Sequence, residues 1–452
     1  MPRLVVLTIT CVLAGCGGGG GGSGGTSGGA CSVADEKSFV LSTTQDWYFF
    51  NSPDFPGQTA KYNGIDLASY ATADDLLEFL RYQPTQFDRG FSFITTIAEE
   101  QQFLQGQFVG FGFGTKFVDA PVNDDLRFTR VFSGSPAEQA GFQRGDRILE
   151  LDGRTIAEIN QAEGVTAAFG PAQAGFTVDF LIRDKNGSEF NVQVAKAIVT
   201  IDPVPPVPTR IIDLNGRPVG YINFRSFISA AEPAFDSIFA QFKAQNVRDV
   251  IIDVRYNGGG LVSVAEYLGD LLGGAALPAG TVFSRTLFSP ARASNDSERR
   301  FAQLTNSLAM LDSLTFITTG ASASGSELMI NSFSPHTTVV VVGSLTDGKP
   351  VGQSAFDYCG TQRLRLVTFE TVNALNQGRY FGGIPADCPA ADDLNFTLGD
   401  VNEASLAAAL FRIDTGQCPP QPAVQKPQFA RGVAEVPKGV GSTPAQRYLS
   451  AF

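Results

Sequence analysis

An α/β and β multi-domain architecture is what this 452-residue sequence predicts, and three stretches carry that reading. Residues 32–104 are rich in aromatics, as in Trp47-Tyr48-Phe49-Phe50, and place Leu76, Leu77 and Leu80 at helical spacing between Thr72 and Arg81. Residues 105–201 change to short β-branched and aromatic runs separated by turn residues, and residues 202–415 alternate apolar strands with helix-length segments. A chain this long exceeds one compact core, so a helical N-terminal lobe, a β domain and an α/β core are expected, each with its own apolar interior. Hydrophobic residues make up 43% of the chain and charged residues 17%, which supplies those interiors and excludes a solvated polymer. The net charge of −12, without clustered Lys and Arg, argues against a nucleic-acid partner.

The amino terminus comes first in order. Arg3 precedes the apolar run Leu4 to Leu13, too short to span a bilayer and read as an export signal over residues 1–15. The string Leu13-Ala14-Gly15-Cys16 resembles a bacterial lipoprotein cleavage box, which implies that Cys16 is the lipidated first mature residue and that the membrane is a partner through it. Residues 16–31 continue as a Gly-rich tether. Because Gly17 is not an Asp, resemblance to sorted lipoproteins implies the periplasmic face of the outer membrane in a bacterial cell envelope. Cys31, Cys359, Cys388 and Cys418 then remain for pairing; four cysteines allow three connectivities, of which Cys359 with Cys388 is preferred.

The aromatic lobe reads as core rather than ligand site. In the β domain, strands are expected at Phe108 to Phe113, Leu126 to Phe132, Ile148 to Asp152 and Phe176 to Arg183, with a turn at Asn186-Gly187. A short helix opens at Ser135, with Pro136 at its first position, and closes near Gly141. Gly-Ser-Pro-Ala-x-x-Ala-Gly over residues 134–141, followed by Gly145-Asp146-x-Ile148-Leu149-x-x-Asp152-Gly153, resembles a PDZ domain. That resemblance implies that Val109-Gly110-Phe111-Gly112-Phe113 holds a peptide's terminal carboxylate while the peptide pairs as an extra strand; a plain Gly-rich strand explains the same residues. Pro203 to Pro208 marks a stiff join. Strands follow at Val219 to Phe224, Val250 to Val254, Leu314 to Thr319 and Thr338 to Val342, with helices near 230–245, 262–272 and after Ser324. Residues 416–452 form a carboxyl-terminal extension.

One histidine, His336, stands just before an apolar strand, so a Ser-His-Asp apparatus has one candidate base, and a lone histidine there reads as structural. With no clustered thiols either, a zinc site is not supported. Ser322-Ala323-Ser324-Gly325-Ser326-Glu327 follows a strand directly. Such a turn exposes a hydroxyl near backbone N–H groups and a helix dipole, yet Ser324 with Glu327 is equally a capping box. Lys349, in Thr346-Asp347-Gly348-Lys349-Pro350, leaves the next strand. A neutral lysine amine can take a serine proton if burial depresses its pKa, whereas an ordinary surface lysine cannot.

Together these strings resemble the C-terminal processing, or tail-specific, peptidases, in which Ser-Ala-Ser-x-Ser-Glu precedes Thr-x-Gly-Lys and a Gln four residues on. Lys349 lies 25 residues after Ser324, and Gln353 follows at that spacing. The resemblance implies Ser324 as nucleophile, Lys349 as base and Gln353 as its orienting partner. Asp253-Val254-Arg255-Tyr256-Asn257-Gly258-Gly259-Gly260 is similar to the family's Asp-x-Arg-x-Asn-x-Gly-Gly, which implies oxyanion donors from Gly259 or Gly260 and from Gly325. The fold class is then a helical N-terminal lobe (32–104), a PDZ-like β domain (105–201) and an α/β, ββα-type Ser/Lys peptidase core (202–415). The implied substrates are proteins with unstructured C-terminal tails, and no metal or organic cofactor is implied. A catalytically silent peptide-binding envelope scaffold is the rival reading, against which Ser324, Lys349 and Gln353 count.

Overall fold

The computed structural model describes residues 31–83 and 86–420, so the export signal, Cys16, most of the tether and the extension beyond residue 420 lie outside the described residues. The central element is a six-stranded sheet in the order Arg210–Leu214, Arg217–Asn223, Asp249–Asp253, Ser313–Thr318, Thr338–Gly343 and Cys388–Pro389. Its first pair is antiparallel and the others parallel. The parallel strands are apolar on both faces because both faces are covered. Val250, Ile252, Leu314, Phe316 and Val341 pack with Phe235, Phe239, Leu268 and Leu328 from the helices Glu232–Ala244, Val262–Gly273 and Gly325–Phe333. Alternate residues, Ile251, Ile317, Val340 and Val342, meet Leu406, Ala409 and Leu410 of the helix Ala404–Thr415 on the other face. The carboxyl ends of the parallel strands therefore share one edge, where the turns after Asp253, Thr318 and Gly343 gather.

The β domain is a second sheet in the order Phe113–Phe117, Leu126–Val131, Arg147–Leu151, Thr177–Arg183 and Glu189–Ala195, around Phe111, Phe128, Phe142, Ile148 and Phe180. The single strand expected over Phe108 to Phe113 is two strands. Gln107–Gly110 pairs with Ala197–Thr200, whereas Phe113–Phe117 pairs with Leu126–Val131. The break falls at Gly112, whose φ of +89° and approach to Ser135, 2.1 Å from where a Cβ would stand, only glycine tolerates. Phe113–Phe117 is thus an edge strand. The domain docks on the core through Arg144, whose guanidinium donates to Asp392 at 2.7 Å and to Tyr256 Oη at 2.8 Å, and through Lys116 on Asp392 at 2.5 Å. These cations hold the Asp392 carboxyl well below the usual range, against its burial.

The N-terminal lobe does not close its own core. The helices Val33–Trp47 and Ala73–Leu80 bury Val40, Leu76, Leu77 and Leu80 with Tyr48, Phe49 and Phe50 against Val351, Leu364, Leu366 and Val367. The strand Phe93–Thr96 joins a sheet with Gln362–Val372, Val282–Phe288 and Ser297–Arg300. The long hairpin of Val351–Tyr358 and Gln362–Val372 carries this interface. The expected Cys359–Cys388 bridge is corrected: Cys31 pairs with Cys359, and Cys388 with Cys418. The hairpin turn puts Cys359 beside the start of the first helix, with 5.4 Å between the Cα atoms of Cys31 and Cys359, while Cys388 sits in the central sheet next to the last helix.

Candidate active site

Three turns at the carboxyl edge of the central sheet build the site. The first, 253–260, follows a buried strand and is held by Asp253, which pairs with Arg255 at 2.6 Å, both side chains being fully buried. Asn257 donates to Phe224 O at 3.0 Å and accepts from Gly259 N–H at 2.9 Å. The second turn, 319–325, is stitched onto the first. Ser322 Oγ donates to Val254 O at 2.7 Å, Ser326 Oγ to Asn257 O at 2.9 Å, and Ala323 N–H to the same carbonyl at 3.1 Å. Two of the three serines are therefore structural and fully buried, and Ser324, partly exposed, stands between them.

Ser324 does open a helix, Gly325–Phe333, and its N–H donates to Glu327 Oε2 at 2.9 Å, as a capping box requires. Its backbone, however, is not that of a cap. At Ser32, Thr72, Thr96 and Thr155, which open helices by the same box, φ lies between −65° and −130° and ψ between 150° and 170°. At Ser324 φ is +54° and ψ −109°. A non-glycine residue held there costs on the order of 1–3 kcal/mol, strain that a plain cap does not need and that a sharply presented nucleophile does. Gly259 faces it: a Cβ on Gly259 would lie 2.7 Å from Ser324 Cβ and 2.8 Å from Gly325 N. Gly259, at φ +105°, thus lines the pocket of Ser324, while Gly260 backs onto Phe227 O. Gly259→Ala keeps the backbone N–H but drives a Cβ against the Ser324 turn, and the resulting displacement of the nucleophile is expected to reduce turnover roughly 100-fold, read by steady-state kinetics.

The third turn brings Lys349. Its side chain is buried, with Nζ 3.3 Å from Gln353 Oε1 and over the Phe91 ring at 5.2 Å from the centroid. Gln353 is fixed in turn by donating to Phe91 O. Burial lowers the Lys349 pKa to about 8, with Asp347, Asp88 and Glu327 opposing the shift. Arg89 pins the turn by donating to Asp347 O and Oδ2, both at 2.7 Å. Gly348 is obligatory, since a Cβ there would meet Phe381 O at 2.5 Å.

Glu327 joins the second turn to the third and was not singled out by the sequence, where it reads only as a capping partner. Fully buried, it accepts from Ser324 N–H, Lys349 N–H at 2.8 Å, Gly348 N–H at 2.7 Å and Thr346 Oγ1 at 2.5 Å. Four donors match the four acceptor positions of one carboxylate, although burial pushes its pKa up to about 7. Arg89 and Phe91 were also missed, because nothing in the lobe's sequence marks residues that reach a distant turn. His336 lies past the far end of the helix that Ser324 opens, with Nε2 2.8 Å from Val282 O.

In the β domain, Val109 and Gly110 end one strand and Phe113 begins the edge strand. The Phe111 and Phe113 rings stack at 5.7 Å and join the Phe128 and Phe180 cluster, so these residues offer backbone rather than side chains to a ligand.

A serine on a strained strand-to-helix turn beside glycine N–H groups, with a buried lysine on the neighbouring turn, defines the class as a serine-type hydrolase core joined to a β domain. Residues 218–389 match the model of peptidase family S41 and residues 127–173 that of a PDZ domain. It is 26% identical over 247 residues to a carboxyl-terminal-processing protease of a Picosynechococcus species, covering 54% of this chain and 56% of that protein. Over 303 residues it is 23% identical to the carboxy-terminal processing protease CtpB of Bacillus subtilis, covering 63% and 60%. The chain spans a little over half the length of the first of these relatives. A solved structure from Bacteroides fragilis assigned to the S41 proteases superposes with a TM-score of 0.63 at 23% identity, over 84% of this chain and 97% of that one, which shows the fold.

Proposed function

We propose that the protein is a serine endopeptidase that cleaves exported proteins at or near their C-terminal tails, held at the periplasmic face of the outer membrane by lipid on Cys16. The observation that carries the reading is the junction through Glu327, which braces the strained Ser324 turn and the Lys349 turn on one carboxylate. Neutral Lys349 accepts the Ser324 proton as Oγ attacks the peptide carbonyl. The developing oxyanion meets the N–H groups of Gly325 and Gly260, the Gly259 N–H being taken by Asn257 Oδ1, and is aided by the helix N-terminus. The amine then returns the proton to the leaving nitrogen, and water releases the acyl group by the same steps reversed. Gln353 orients the amine from 3.3 Å. The tail is held as an added strand on Phe113–Phe117, with its terminal carboxylate at the backbone of residues 109–113.

The test is the pH dependence of cleavage of an unfolded protein. Lys349 works only when neutral and its pKa is lowered to about 8, so kcat/KM should rise through a limb centred near pH 8 and level off above it. A limb near pH 6.5, the ordinary histidine value, would assign the base to His336 instead.

A further inference from the structure

Two buried guanidiniums among the described residues have carboxylates at hand: Arg255 lies between Asp253 and Glu403, and Arg144 on Asp392. Arg130 and Arg225 are different. Arg130, 9% exposed, has a buried Nε without a hydrogen-bond partner. Arg225, partly exposed, has for its side chain one hydrogen bond among the described residues, Nε to Asn223 Oδ1 at 3.3 Å. Both guanidiniums lie over the same ring, Phe132, at 5.0 and 5.7 Å from its centroid. They are close enough that the charge of Arg225 lowers the pKa of Arg130. The exposed Asp202 attracts Arg225 without forming an ion pair among the described residues. Two like charges, largely desolvated and in no ion pair among the described residues, cost stability unless something pairs with them.

Their position says what that is. Arg130 stands opposite Gly114 of the edge strand. Arg225 lies two residues before Phe227, whose N–H donates to Gly259 O at 2.9 Å and whose carbonyl accepts from Leu261 N–H at 2.8 Å. The pair thus lies between the edge strand of the PDZ domain and the glycine turn facing Ser324. We propose that Arg130 and Arg225 form a carboxylate-recognition site for the bound peptide, selecting substrates with an acidic side chain in the stretch between the tail's end and the scissile bond. The terminal carboxylate is already allotted to the backbone of residues 109–113, which leaves a side chain as the source. The proposal rests on the peptidase reading and adds a specificity to it.

The experiment uses the full chain and four peptides of one unstructured sequence: with Glu or Gln residues in that stretch, each with a free or an amidated C-terminus. Wild type should cleave the Glu peptide with kcat/KM about tenfold above its Gln counterpart, the scale of a charge-assisted hydrogen bond. In R130Q/R225Q that ratio should fall below about twofold, with the Gln peptide cleaved as by wild type. Should the double variant melt early, R225Q alone, at a partly exposed position, should still lower the ratio about threefold. If amidation rather than Glu-to-Gln exchange is what the arginine variants cease to sense, the carboxylate is the terminal one and the acidic-side-chain assignment is overturned. A ratio unchanged by the variants, or absent in wild type, overturns the site altogether. Titrating the same peptides against Ser324→Ala protein reads the preference as affinity, so a failure of the arginine site is distinguished from a failure of the peptidase reading, in which wild type cuts none of the four.

Discussion

Ser324→Ala is expected to reduce turnover of an unfolded protein substrate on the order of 10⁵-fold while leaving the thermal midpoint unchanged. Loss of a nucleophile typically costs that much, the residue left behind retaining only binding and oxyanion donors. The second half follows from the contacts: alanine keeps the Cβ and with it the strain at φ +54°, and the lost hydroxyl, unlike those of Ser322 and Ser326, does not stitch one turn to another. The neighbouring serines give the control. Ser322→Ala and Ser326→Ala each remove a buried hydrogen bond to a backbone carbonyl and should lower stability by about 1–2 kcal/mol, with far smaller effects on turnover. Single-turnover hydrolysis with calorimetry on the three variants distinguishes the roles; equal losses across the three would remove Ser324 from its assigned position.

Glu327→Ala should be nearly as severe, by another route. Its carboxylate satisfies backbone N–H groups of Ser324, Gly348 and Lys349 and the Thr346 hydroxyl at once. Removing it leaves four buried donors without their acceptor, a loss of about 3–5 kcal/mol at the scale of breaking a buried charged network. The turns carrying nucleophile and base would then relax independently, and turnover should fall roughly 10³-fold even at temperatures where the variant is folded. Glu327→Gln separates the effects. It preserves volume and one acceptor oxygen but turns an NH₂ toward two donors, so it should recover part of the stability and little of the activity. A folded Glu327→Ala with near-normal turnover would show that the two turns hold their geometry without the bridge.

The parallel core was legible because its strands, Asp249–Asp253, Ser313–Thr318 and Thr338–Gly343, are apolar on both faces and stand apart from their helices. The long hairpin was not, because Val351–Tyr358 and Gln362–Val372 mix charged and apolar residues where one face meets the lobe and the other meets water. The same hairpin explains the misassigned disulfide: sequence spacing cannot say that its turn lies against the first helix. Within the site, Ser324, Lys349 and Gln353 came from the resemblance to the C-terminal processing peptidases that their motifs and spacing carry; the residues alone read as a helix cap and a loop lysine. Glu327 was visible as a residue but hidden in role, since three residues after a serine it looks like a private partner of that serine. The lobe's share, Arg89 and Phe91, depends on the packing of residues more than 250 positions from the turns they support.

The two disulfides bear on how the protein, itself made of peptide bonds, survives a cut in its own chain. Cys31 and Cys359 are separated by 328 residues, and Cys388 and Cys418 by another 30. A single cut in an exposed loop anywhere inside either interval, by a neighbouring copy or by another protease, leaves both fragments on one covalent molecule. The lobe, the PDZ domain, the glycine turn and the nucleophile all fall inside the first interval. Such a cut adds one water to the mass while the disulfides keep the pieces joined under oxidising conditions, and they part only when a reductant is added.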